Sequence, residues 1–229
     1  MMNGLTVIFD LDGTMIDTAP DLIAATNYTL GRFGMQPVEE RIIEPAVGLG
    51  SRTMLHTAML SLGREPDKDQ LTDMSAHFID YYSGHIAVRS RPYPGLVEAL
   101  GSLGRDGARL GVCTNKYEAL ARKLLAVLAL DGFFAAIAGA DTFPVRKPDP
   151  GHLLGTISAA GGEAKRSVMI GDSLADAKAA QSAGVPFIAV SFGYGEKPVE
   201  RLKPDAIIDH FNELDAALRR LPSLQYPGA

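Results

Sequence analysis

Short, almost purely apolar runs recur along the chain at Leu5 to Phe9, Arg109 to Thr114, Ala135 to Gly139, Ser167 to Gly171, Pro186 to Val190 and Ala206 to Asp209. Runs of this length, rich in β-branched residues and bounded by turn formers, are the pattern of strands buried on both faces. Between them lie stretches with apolar residues at helical spacing: Gly95 to Asp106, Tyr117 to Leu130, Pro150 to Ala160, Leu174 to Ala183 and Asn212 to Leu221. Pro150, Gly132 and Gly184 supply their start and stop signals. Alternation of strand and helix predicts an α/β fold, a doubly wound, Rossmann-like parallel sheet with helices on both faces. The stretch from Met15 to about Ala87 breaks this rhythm, offering helices near Asp21 to Phe33, Ser51 to Leu62 and Lys68 to Tyr82 but no convincing strand. It predicts an inserted α-helical cap domain over 16–87, with 1–15 and 88–229 forming the core. Pro92, Pro94 and Gly95 stiffen the return.

The first strand runs directly into Phe9-Asp10-Leu11-Asp12-Gly13-Thr14. Asp-Gly alone is a turn dipeptide. Two carboxylates and a Thr at a strand end in an open α/β sheet say more, because ligands are held at that edge. Right-handed crossovers bring all strand carboxyl ends to one side, so Asp10, Asp12, Thr114 and Asp172 should converge. Lys147 can reach the same edge from the rigid loop Val145-Arg146-Lys147-Pro148-Asp149-Pro150. Carboxylates gathered around a phosphate repel one another, by about 4 kcal/mol per pair at ~4 Å and an effective dielectric of ~20. A hard divalent cation resolves that conflict, and Mg²⁺ takes one or two carboxylates plus a substrate phosphate. Asp10 and Asp172 are the candidate metal carboxylates, and Lys147 adds a fixed cation. A carboxylate oxygen of Asp10 can then attack phosphorus to form an aspartyl phosphate, with Asp12 protonating the leaving oxygen and later activating water. That sequence expects a proton held on Asp12 by a buried, carboxylate-rich site.

Composition narrows the partners. The 229 residues are 46% hydrophobic and 21% charged, those of a globular chain of one or two domains. A net charge of −5, with no dense run of Lys or Arg, argues against nucleic acid and against an anionic membrane surface. The lone Cys113 excludes an intrachain disulfide. Neither a signal-peptide pattern nor an apolar run near the ~20 residues of a membrane helix is present, so the expected address is cytoplasmic.

Taken together, Asp10-Leu11-Asp12-Gly13-Thr14, Thr114-Asn115, Lys147 and Gly171-Asp172 with Asp176 resemble, in order and spacing, the four motifs of the haloacid dehalogenase-like hydrolase superfamily. The resemblance implies Asp10 as nucleophile and Mg²⁺ ligand, and Asp12 as general acid/base with its main-chain carbonyl on the metal. It implies Thr114, Asn115 and Lys147 around the transferring phosphoryl group, Asp172 completing the metal site, and Asp176 orienting Lys147 or a metal-bound water. The second aspartate, Asp12, is lacking in dehalogenases of the superfamily, which implies phosphate rather than halide chemistry. The segment Gly13 to Asp21, Pro92-Tyr93-Pro94-Gly95 and Thr114-Asn115-Lys116 further look like phosphoglycolate phosphatases, whose helical cap follows the first strand. The expected activity is hydrolysis of a small phosphomonoester, 2-phosphoglycolate foremost, by a monomer or homodimer. Pyrophosphatase, sugar-phosphate phosphatase and β-phosphoglucomutase-like readings share the same residues, and a phospho-Asp receiver-type switch is the alternative outside enzymes.

Other features have two readings. In the cap, Val47-Gly48-Leu49-Gly50-Ser51-Arg52 opens onto a helix, where free amides and the Arg52 fork could bind a substrate carboxylate. Equally, Ser51 could be an ordinary N-cap and Arg52 a solvated charge. Phe192-Gly193-Tyr194-Gly195 could border the active edge or be a plain turn. Cys113 reads as a buried small hydrophobe. His56, His77, His85, His152 and His210 lack metal-ligand spacing and read as surface or cap packing. Arg89 and Arg91 read as solvated charges flanking the hinge.

Overall fold

A computed structural model describes residues 2–195 and 197–221. In chain order the elements are β1 (Thr6–Phe9), β2 (Ile16–Asp17), α1 (Ala19–Arg32), α2 (Glu40–Ile43), α3 (Ser51–Ser61), α4 (Lys68–Gly84), β3 (Arg91–Pro92), α5 (Leu96–Arg105) and β4 (Arg109–Cys113). They continue as α6 (Glu118–Val127), β5 (Ala136–Ala138), α7 (Pro150–Ala159), β6 (Ser167–Gly171), α8 (Leu174–Ala183), β7 (Phe187–Val190), β8 (Ala206–Ile208) and α9 (Leu214–Arg220). The chain divides into two compact units, Met1–Ile16 with Pro92–Ala229 and Asp17–Arg91.

The first unit holds a six-stranded sheet in the order β5-β4-β1-β6-β7-β8, with each neighbouring pair parallel. The apolar runs form these strands because both faces are covered, and Val7, Ile8, Phe9, Val112 and Ile170 are fully buried. On one side Ile8, Cys113 and Met169 pack against Leu153 and Ile157 of α7 and Ala177 and Ala180 of α8. From β1 the winding runs outward through β4 to β5, then restarts at β6 on β1's other flank. The reversal places the ligand crevice beside β1, at the strand carboxyl ends. Register levels those ends: Phe9 stands opposite both Val112 and Ile170.

The second unit is helical. Its α4 packs on α1 and α3, with Leu30, Met54, Leu55, Met59, Met74 and Tyr82 buried among them. Asp21 closes the unit on itself: its buried carboxylate accepts from Arg89 N, Ser90 N and Ser90 Oγ at 2.7–3.0 Å.

Several elements depart from expectation. The insertion contains strand after all, the two-residue β2, which pairs with β3. Helix α1 starts at Ala19 because Pro20 suits its first turn. Helix α6 ends early, since Ala129 turns to φ 56°. The final helix is preceded by a 3₁₀ turn, Phe211–Glu213, capped by His210, whose Nδ1 accepts from Asn212 N. Among the described residues no helix is long and apolar enough to cross a membrane.

Candidate active site

The site is assembled at the carboxyl ends of β1, β4 and β6, entirely within the sheet unit. Asp10 follows β1, its amide continuing the ladder to Ile170 O at 2.9 Å. The chain then turns on Leu11, whose carbonyl accepts from Met15 N and Ile16 N at 3.0 and 3.1 Å. Gly13 makes the turn at φ 77°, and a Cβ there would lie 2.6 Å from Asp172 Oδ2 and 2.8 Å from the Tyr194 ring. Gly13 is thus demanded twice, by backbone conformation and by the close approach of the β6 end.

Lys147 is the hub. Its Nζ lies 2.8 Å from Asp10 Oδ1 and 2.6 Å from Asp176 Oδ1, with all three side chains buried. Leu11 N also donates to Asp10 Oδ1, at 2.7 Å. The other oxygen of Asp176, Oδ2, accepts from Ser173 N at 3.0 Å and from Ser173 Oγ at 2.6 Å, a capping box at the start of α8. Asp172 is held from both sides: Thr14 Oγ1 donates to Oδ1 at 3.1 Å, and Tyr194 N and Gly195 N donate to Oδ2 at 2.9 and 3.0 Å. Asn115 Nδ2 donates to the Lys147 carbonyl at 3.0 Å, so this side chain grips the Lys147 loop. Thr114 is buried and its Oγ1 accepts from Lys116 N at 3.2 Å. Sequence-distant Asp10, Asp12, Thr114, Asn115, Lys147, Asp172 and Asp176 are therefore brought to one edge.

Charge in this cluster is out of balance. Asp10, Asp172 and Asp176 each present a carboxylate oxygen within 4.8 Å of the others. With all ionised, three carboxylates against the Lys147 ammonium leave an excess of two negative charges. Burial pushes Asp10 up to about 7, Lys147 opposing and Asp176 and Asp172 reinforcing the rise. Burial, then Asp176, raises Asp172 to about 6 against the donors that hold it. Burial works against the Lys147 charge, but Asp10 and Asp176 more than offset it and hold the ammonium firmly protonated. Hard oxygen donors with a surplus of two charges suit a divalent cation. Asp176, both of whose oxygens are engaged by Lys147 and Ser173, is better placed to orient than to ligate.

Four contributors lay outside the predicted set. Lys116 Nζ sits 2.9 Å from both Asp12 oxygens, a contact that joins the Asp12 carboxylate to the loop after β4. Thr14 and the Phe192–Gly195 segment hold Asp172, and a Cβ on Gly193 or Gly195 would fall 2.4 or 1.8 Å from Asp172 atoms, which settles that segment as part of the edge. His152, read as surface or cap packing, is instead fully buried on α7, where its Nδ1 accepts from Lys147 N at 3.2 Å. Burial and Lys147 push it down to about 4, keeping the ring neutral and able to accept. The only sequence signal for His152 was its place one turn beyond Lys147-Pro148-Asp149-Pro150.

The remaining candidates fall elsewhere. Arg52 is exposed on α3 and its Nη2 donates to Thr72 Oγ1 at 2.8 Å. The helix is capped by Gly50 at φ 94°, not by Ser51, whose hydroxyl meets Ser75 Oγ at 2.6 Å. Arg91 is not merely solvated: its guanidinium donates to the carbonyls of Ala87, Val88 and Ser90. Cys113 is buried, and burial pushes its thiol up to about 12.

Comparison with known proteins agrees with this arrangement. Residues 7–190 match the family of haloacid dehalogenase-like hydrolases. The phosphoglycolate phosphatase of Mesorhizobium japonicum is 44% identical over 212 residues, covering 93% of each chain. That of Agrobacterium fabrum is 46% identical over 211 residues, 92% of this chain and 91% of its own. Among solved structures, "a predicted phosphoglycolate phosphatase from haemophilus somnus 129pt" superposes with a TM-score of 0.86 at 28% identity, covering 94% of this chain and 98% of that one. The chain is an enzyme of the haloacid dehalogenase-like hydrolase family.

Proposed function

We propose that the enzyme hydrolyses 2-phosphoglycolate to glycolate and phosphate, using Mg²⁺ and an aspartyl-phosphate intermediate. The observation that carries the chemistry is the buried Lys147–Asp10 contact at 2.8 Å beside Asp172 and Asp176, whose carboxylate oxygens lie within 4.8 Å of that of Asp10. Asp10, the Asp12 main-chain carbonyl and Asp172 would hold Mg²⁺, which when bound neutralises the cluster and the phosphate it faces. An Asp10 carboxylate oxygen attacks phosphorus while the ester P–O bond breaks, and Asp12 delivers its proton to the departing oxygen. Water then attacks the same phosphorus, Asp12 takes the water's proton, and the bond to Asp10 breaks. Lys147 stays in contact with Asp10 throughout, with Thr114 and Asn115 beside it for the transferring group. Asp176 fixes the Lys147 ammonium.

The relatives' names support 2-phosphoglycolate as substrate. The inserted helical unit would act as the enzyme's cap, limiting the access of water to the reaction. Phosphate release from 2-phosphoglycolate, pyrophosphate, sugar phosphates and nucleotides, each with Mg²⁺ and with EDTA, is the test. Mg²⁺-dependent preference for 2-phosphoglycolate is the expected result. Equal turnover across the panel would leave a generalist phosphatase, and isomerisation of glucose 1-phosphate outpacing phosphate release would make the enzyme a mutase.

A further inference from the structure

Lys116 has no part in the reaction just described, yet it is nearly as buried as the groups that do. Its side chain is 5% exposed, and Nζ spans both oxygens of Asp12 at 2.9 Å across 104 residues of sequence. Local structure gives no reason for a cation here. Lys116 stands two residues before the first residue of α6, at the positive end of that helix's dipole, where an ammonium is disfavoured. Burying it costs further desolvation unless a partner is fixed in place. The backbone, meanwhile, is pinned to deliver the side chain: Lys116 N donates to Thr114 Oγ1 at 3.2 Å, and its carbonyl accepts from Ala140 N at 2.9 Å. Asp12 has the complementary arrangement, its main chain fixed by the Leu11 turn and its carboxylate reaching the end of β4. A general acid/base must present an oxygen within hydrogen-bond reach of the moving proton, and a carboxylate free to rotate does so only part of the time.

We propose that Lys116 is a positioning residue, which clamps both oxygens of Asp12 so that the carboxylate faces the ester oxygen in one orientation. This rests on the reading of the site as a phosphatase with Asp12 as acid/base, and it adds a member that acts only through Asp12. Lys116 touches neither the phosphoryl group nor the metal in this role. Its loss therefore falls on proton transfer and leaves phosphate and metal binding in place.

The test compares wild type, Lys116→Met, Lys116→Arg, Asp12→Ala and the double variant Lys116→Met/Asp12→Ala on 2-phosphoglycolate and p-nitrophenyl phosphate at saturating Mg²⁺. Lys116→Met should lower kcat on 2-phosphoglycolate about 10²-fold, the lower range for a positioned acid/base, with KM and the Mg²⁺ activation constant within about twofold. Its burst of nitrophenolate should slow far less, because that leaving group departs without a proton. Lys116→Arg, which keeps a cation against both oxygens, should recover most of the loss and also gives a readout if the Met variant folds poorly. In the Asp12→Ala background Lys116→Met should cost nothing more. The same loss with Asp12 absent, or a rise in KM with kcat unchanged, overturns the clamp and makes Lys116 a substrate or charge-balancing residue. An Asp12→Ala enzyme as fast as wild type instead sinks the acid/base reading itself, and the clamp with it.

Discussion

The two units use their polar groups in opposite ways. At the sheet edge, the side chains of Asp10, Asp12, Lys116, Lys147, Asp172 and Asp176 are buried and wired to one another, to the Thr14 hydroxyl or to main-chain donors at 2.6–3.1 Å. In the inserted unit the buried carboxylate of Asp21 serves closure of the fold, and the candidate ligand group, Arg52, is exposed and donates to the Thr72 hydroxyl. Charges in a low-dielectric, preorganised cluster act far more strongly than solvated ones. The proposed bond-breaking therefore belongs to the preorganised charges of the sheet unit, and the proposed grip on a substrate carboxylate to the exposed Arg52 of the inserted unit.

The sharpest way to break that assignment is Asp10→Asn. It should fold and lose at least about 10⁴-fold in kcat, since in the proposed mechanism Asp10 alone takes the phosphoryl group. Measurable turnover would move the nucleophile elsewhere. Next, Asp172→Ala should raise the Mg²⁺ needed for half-maximal activity by about 10²-fold, and an unchanged titration would move the metal. Gly195→Ala tests the wiring behind it: a Cβ would sit 1.8 Å from the Asp172 carbonyl oxygen, so the loop must retreat and release Asp172 Oδ2. A loss of about 10-fold in Mg²⁺ affinity, read by calorimetry as well as activity, is expected of a displaced supporting shell. Gly48→Ala in the inserted unit is the control, since its Cβ would meet open space. Backbone strain from φ +83° should cost it about 1 kcal/mol of stability with Mg²⁺ affinity unmoved.

Protonation gives a smaller but cleaner contrast. Asp10 and Asp172 have folded-state values near 7 and 6, above the ordinary carboxylate range. Between about pH 4 and 7 the metal-free folded state holds protons that the unfolded chain has released, so these groups favour folding at low pH and lose that contribution as pH rises through 6 and 7. Mg²⁺ replaces the protons. The Tm gain from Mg²⁺ should therefore be slight at pH 5 and roughly 5 °C or more at pH 8. A gain independent of pH would place the ion away from these carboxylates, and variants of the inserted unit should leave the pH profile alone.

What could be read from the sequence follows the same division. The strand ends were legible because fully buried parallel strands are short apolar runs, and three of them run into a residue of the candidate site: Asp10 after Phe9, Thr114 after Cys113, Asp172 after Gly171. The partners that hold those residues were not. Thr14 and Lys116 stood within the motifs without a role of their own and His152 outside them, and their contacts run across 158, 104 and 5 residues. Gly193 and Gly195 could be read as plain turn glycines or as the border of the active edge, and the packing of Asp172 against them shows why no Cβ is tolerated. In the inserted unit the three long helices were legible from periodicity, but not the four-residue α2, too short for a period, nor the cap of α3, where Gly50 takes the place through backbone conformation while Ser51 turns to Ser75.

The smallest expected effect is the one that would most sharpen the comparison. The proposed share of the inserted unit in substrate choice requires Arg52 to exchange a neutral hydroxyl for a substrate carboxylate, a charge-assisted contact at an exposed site. Such a contact is worth about 1.4 kcal/mol, so Arg52→Ala should raise KM for 2-phosphoglycolate about 10-fold. KM for p-nitrophenyl phosphate, which carries no carboxylate, should not change, nor should kcat on it, because the sheet-edge cluster is untouched. Arg52→Lys should restore only part of the affinity, since an ammonium cannot grip a carboxylate with two parallel donors. Equal KM values for wild type and Arg52→Ala on both esters would reduce Arg52 to a surface partner of Thr72, and carboxylate selectivity would then have to come from the buried edge itself.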